Sequence, residues 1–182
     1  MKTEDEVIAR QIREAGPGTY ERWQMIDQAW FEIMGGLLKG LAEDKKVGWG
    51  KVNEVIGEYF SGTKPGDFLP RQWDFISQRL EIKERDCVAL AKHWCYVVDC
   101  VGMDYTITEC SSKRFHVIIN NCCEAGWLKN MGILGKIDWV LECPKSYCPT
   151  LAKVINPKIK YIDKKAQCGG DAICDKIWEM RD

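Results

Sequence analysis

Near residue 102 the apolar residues of this chain change their spacing, and that change dictates the order of its secondary structure. Upstream, Trp73, Ile76, Leu80, Val88, Leu90, Ala91, Trp94, Cys95 and Val98 recur three or four positions apart, the spacing of one buried helical face. Tyr20, Trp23, Ile26, Trp30, Ile33 and Leu37 do the same earlier. Helices are therefore expected over Glu4 to Glu14, Tyr20 to Leu37, Val52 to Phe60 and Pro70 to Cys100, the last with a break near Lys83-Glu84. Gly16-Pro17-Gly18 and Ser61-Gly62-Thr63-Lys64-Pro65-Gly66 separate them, because glycine and proline end helices. Downstream, Tyr105 to Cys110 and Phe115 to Asn120 are rich in β-branched and aromatic residues around a polar Ser111-Ser112-Lys113 turn, the pattern of a β-hairpin.

Lys158 to Lys164 and Ala172 to Met180 read as a second hairpin around Gly169-Gly170-Asp171, a turn that needs glycine's access to positive φ. Glu124 to Met131, with Trp127 and Leu128 inward, is expected to be helical. Cys143-Pro144 and Cys148-Pro149 mark helix starts or breaks, since proline is tolerated in a first turn. The fold class is thus α+β: an N-terminal helical half followed by an antiparallel sheet of about four strands with interspersed helices. A chain of 182 residues reads as a single domain, with a helical scaffold over 1–102 and a cysteine-rich half over 103–182 that carries the candidate chemistry.

A formal net charge of −1 supplies no field to recruit nucleic acid or an anionic membrane. No stretch approaches the roughly 18 apolar residues of a membrane span, and the charged opening MKTEDEVIARQIREAG lacks the apolar core of a secretion signal. A cytoplasmic protein is expected, with a small molecule as its partner and a homo-oligomer as an open option. In a reducing compartment, 10 cysteines read as buried thiols, metal ligands or nucleophiles before disulfides. Eight tryptophans point to a large aromatic core or an aromatic-lined pocket.

Seven of the 10 cysteines lie between Cys110 and Cys174. Four of them, Cys143, Cys148, Cys168 and Cys174, would suffice for zinc or an iron–sulfur cluster if they converged. Their gaps of four and five residues are wider than a zinc knuckle, and buried packing is the competing reading, since cysteine is among the most buried residue types. For nucleophilic catalysis, Cys148 before Pro149 would sit where a helix begins, a position that favours the thiolate. His116 is a candidate base, or simply a hydrogen-bonded strand histidine. Asp171 is a candidate orienter or second base. His93, on an apolar helix between tryptophan and cysteine neighbours, is expected to be a satisfied core histidine. No phosphate-binding glycine loop or dinucleotide fingerprint is present.

Taken in order, Cys148, Asn156-Pro157, the basic strand Lys158 to Lys165 and Gly170-Asp171-Ala172-Ile173-Cys174 resemble the L-2-amino-thiazoline-4-carboxylic acid hydrolase family. The likeness covers about the last seventy residues. It extends more distantly to 4-vinyl reductase-type small-molecule-binding domains. The resemblance implies a hydrolase that opens a small sulfur- and nitrogen-containing ring by attack on an amidine-like carbon. Cys148, Asp171 and Cys174 are the positions it carries over, with Cys148 as nucleophile or ligand. Cys143 and Cys168 lie outside the family pattern and keep a metal- or cluster-binding sensor open as the alternative.

Overall fold

The computed structural model describes residues 36–37, 39–132, 134 and 147–181. The helix expected over Glu4 to Glu14, the one over Tyr20 to Leu37 except its last two residues, and the Cys143-Pro144 segment lie outside these residues. Helix α1 spans Gly48–Ser61, α2 Phe68–Arg79 and α3 Cys87–Cys100. α1 begins four residues earlier than the apolar periodicity indicated, directly after the turn through 44–47. Gly62 ends it, and a Cβ there would stand 2.5 Å from Asp67 Oδ2, so a larger residue would force the Asp67 side chain to move.

The expected break between α2 and α3 is real and is built by backbone geometry. Glu81 takes a φ of 53°, a left-handed conformation that costs a side-chain-bearing residue about 1 kcal/mol or more and stops a helix. α3 restarts at Asp86, whose carboxylate accepts from Ala89 N at 2.9 Å. That N-cap supplies a partner for a backbone N–H left over at the helix start. Among the described residues no helix is long and apolar enough to cross a membrane.

Strands β1 (Asp104–Cys110) and β2 (Arg114–Asn121) form the first hairpin. After α4 (Cys123–Asn130) and α5 (Tyr147–Ile155) come β3 (Ile159–Lys165) and β4 (Cys174–Met180). The sheet has four strands in the order β1-β2-β4-β3, every pair antiparallel. β4 is therefore inserted between β2 and β3 rather than added at an edge. This explains the imperfect alternation of its sequence. Lys176, Ile177 and Trp178 are all buried, because an interior strand has neighbours on both sides and its two faces are both partly covered.

α3 carries most of the core onto the sheet. Trp94 meets Tyr105, Phe115 and Trp178 with ring centroids 5.5, 5.9 and 5.9 Å away. In the sheet, Phe115 and Tyr161 are the register partners of Trp178 on either side. Phe115 stacks on its ring at 5.2 Å and Tyr161 tilts onto it at 5.0 Å. A row of three aromatics across three strands, capped by a fourth from the helix, accounts for much of the tryptophan content as core, at separations where aromatic pairs attract.

Candidate functional site

The helix-facing side of β4 carries Cys174, Lys176 and Trp178, since residues two apart on a strand share a face. Lys176 is only 3% exposed, a rare position for an ammonium group. It lies opposite the first turn of α5, where Cys148 is the second residue and Pro149 the third. Proline fits there because the N–H it lacks would have no partner inside the helix. Cys148 is fully buried, and its backbone oxygen accepts from Trp178 Nε1 at 3.3 Å.

Lys176 Nζ donates to Cys148 Sγ at 3.7 Å and to Tyr161 OH at 3.3 Å, and stands 5.7 Å from the centre of the Tyr161 ring. Tyr161 OH in turn donates to Asp163 Oδ1 at 2.8 Å. Asp163 is also the register partner of Lys176 on β3. A chain of polar contacts thus runs from a sealed sulfur, through a buried ammonium and a half-buried phenol, to an exposed carboxylate. Two features at Cys148 favour negative charge on sulfur: the adjacent ammonium and the N-terminal end of a helix.

Burial opposes charge on fully buried Cys148 and on two other thiols. Burial, with the Asp86 carboxylate second, pushes Cys87 up to about 12. Cys174 is driven far up by a hydrogen bond with Cys122 and by burial. Both stay protonated at neutral pH and are poor nucleophiles.

The expected site residues do not all meet. Cys148 and Cys174 both belong to the helix-facing side. His116 lies on the opposite face, where its Nε2 stands 2.8 Å from Asp175 Oδ1, and Asp175 precedes Lys176 and so points away from it. Asp171 is exposed and serves the turn: its Oδ2 accepts from Ala166 N at 2.8 Å, and its own N–H donates to Ala166 O at 3.2 Å. Gly170 beside it takes a φ of 101°, which meets the expectation for this turn. Cys168 is buried within the 3-10 turn Gln167–Gly169. Among the described residues, no group of three or more His, Cys, Asp or Glu side chains could hold a metal ion, and Cys143 lies outside them.

His93 departs from its expectation. It is buried to 0% exposure, yet neither ring nitrogen has a hydrogen-bond partner. The ring lies 5.7 Å from that of Trp73. The Gln72 carbonyl comes near without reaching hydrogen-bond geometry and offsets the burial only in part, leaving His93 lowered to about 3.

Sequence reasoning missed Lys176, Tyr161 and Asp163. The available signal was strict alternation from Cys174, which puts Lys176 between two inward positions. No family model, no curated protein and no solved structure matches this chain.

Proposed function

We propose that the chain is a small-molecule hydrolase in which Cys148 is the nucleophile and Lys176 the group that holds it as thiolate. The observation that carries this reading is the 3.7 Å contact between a buried lysine and a sulfur in the first turn of a helix. Cys148 would attack an electrophilic carbon bonded to nitrogen and sulfur, such as the amidine-like carbon of an amino-thiazoline ring. The C–N or C–S bond to the leaving atom then breaks, that atom takes a proton, and water releases the acyl-type group from Cys148. Lys176 would donate to the developing negative charge, and Tyr161 with Asp163 would fix the ammonium in place. Asp171 and His116, by their positions, take no part. The substrate would reach Cys148 past Tyr161, the half-buried member of the chain. A cytoplasmic location fits this chemistry, since thiolates there stay reduced.

The reading is tested with L-2-amino-thiazoline-4-carboxylate as substrate and mass spectrometry of the ring-opened product, which gains one water. Wild type is expected to turn over. Cys148→Ser and Lys176→Met are expected to lose about 10³-fold or more, the usual consequence of removing a nucleophile or its activating group. Turnover that survives Cys148→Ser would overturn the assignment. A wild type that opens neither this ring nor related cyclic amidines would overturn the substrate class.

A further inference from the structure

The turn before β4 brings together a second pair of sulfurs, away from Cys148. Cys174 opens β4 and is the register partner of Ile119 on β2. Three residues past Ile119, Cys122 leaves the end of β2 and leads into α4. Both cysteines are buried, and their side chains share a hydrogen bond.

Gln167 fixes each of them independently. Its backbone N–H donates to Cys174 Sγ at 3.3 Å, and its Oε1 accepts from Cys122 N at 2.7 Å. Its Nε2 donates to Asn120 O at 3.0 Å and Ala172 O at 2.7 Å. One side chain therefore clamps the end of β2 to the approach to β4, with the two sulfurs enclosed between them.

We propose that Cys122 and Cys174 are a reversible disulfide site, closed by exchange with a small-molecule disulfide such as glutathione disulfide. In the first step one cysteine, as thiolate, attacks a sulfur of the small disulfide. The small S–S bond breaks, one small thiolate leaves and takes up a proton, and a mixed disulfide remains on the protein. In the second step the partner cysteine loses its proton and displaces the other small thiol, forming the Cys122–Cys174 bond. Two protein thiols are oxidised, and one small disulfide is reduced to two thiols.

Gln167 already holds the end of β2 beside the start of β4, so closure joins two cysteines fixed by one residue. Two other thiols near the sheet are engaged elsewhere: Cys87 Sγ donates to Trp178 O at 3.7 Å, and Cys148 accepts from Lys176. Burial of the pair, with Cys174 held protonated at neutral pH, makes the exchange slow there and faster as pH rises. Once formed, the bond would close a loop holding α4, α5 and β3, and so restrict the unfolded chain. It would join β2 to β4, the central seam of the sheet, and raise the thermal midpoint.

The full chain is incubated with glutathione disulfide at mildly alkaline pH, quenched with acid and iodoacetamide, and digested without reduction. A cross-linked peptide containing Cys122 and Cys174, lost on dithiothreitol treatment, is the expected product. The oxidised protein should melt at a higher temperature than the reduced one. Cys168→Ser should keep the cross-link, while Cys122→Ser and Cys174→Ser should lose it. Circular dichroism confirms that each protein is folded. Folded wild type that gives only glutathione adducts, no linkage, or linkages through Cys168 overturns the proposal. The site is independent of Cys148, so this result stands or falls apart from the hydrolase assay.

Discussion

His93 gives a prediction whose size follows from its surroundings. The ring is sealed between α2 and α3 with no hydrogen-bond partner on either nitrogen, and burial lowers it from 6.5 to about 3. As the pH falls below 6.5, the unfolded chain takes up a proton that folded His93 refuses. Stability from this residue is therefore complete above about pH 6.5 and drains away down to about pH 3. With one pH unit worth about 1.4 kcal/mol, the loss is about 1.4 kcal/mol at about pH 5.5 and about 2.7 kcal/mol at about pH 4.5.

The perturbation is His93→Phe, which keeps a ring against Trp73 and removes the titration. His93→Leu serves as a second variant should the larger ring overpack. Urea unfolding followed by tryptophan fluorescence is measured for wild type and variant at about pH 7.5, 5.5 and 4.5. Taking the difference between the two proteins cancels every group that titrates alike in both. Wild type is expected to lose about 2.7 kcal/mol relative to the variant by the lowest pH, a midpoint change of about 1 M or more at ordinary urea sensitivities. A difference that stays constant with pH would refute the reasoning and mean that folded His93 can be protonated in place.

Trp178→Ala should cost about 3–5 kcal/mol in urea unfolding, because Trp178 joins Phe115, Tyr161 and Trp94 across three strands and a helix. Asp171→Ala and Gly170→Ala should each cost about 1 kcal/mol, the first by losing the acceptor for Ala166 N and the second by straining a left-handed position. Thermal melts read both, and ring-opening turnover should be unchanged, since the turn does not reach Cys148.

Period and punctuation were enough to read the α+β order, the two hairpins and the break before α3, because each depends on neighbours within a few positions. The insertion of β4 between β2 and β3 was not legible. Nothing local in Cys174 to Met180 says which strand lies on which side. The place of Cys148 at a helix start was legible because it is local: a cysteine before a proline. Its partner was hidden, because Lys176 sits in an Asp-Lys pair that looks solvent-facing until strand parity is counted. His116 and Asp171 were drawn toward Cys148 by order in the chain, but sheet parity sent one to the far face and the turn absorbed the other. His93 looked like an ordinary core histidine, since sequence shows burial better than it shows a missing partner.

The central position of β4 bears on how the chain can be made. β4 comes last of the four strands in the chain, yet β2 and β3 have no contact through the sheet until it lies between them. Until then each displays an unpaired edge, the kind of surface that recruits other chains. The aromatic row also lacks its middle member over that interval, so completion of the core waits for a strand that must enter rather than append. Folding of this half should therefore be slow for its size, since the β2–β4 contacts that complete it are distant in sequence. Loss of β4 would not trim the sheet but divide it into a hairpin and a single strand.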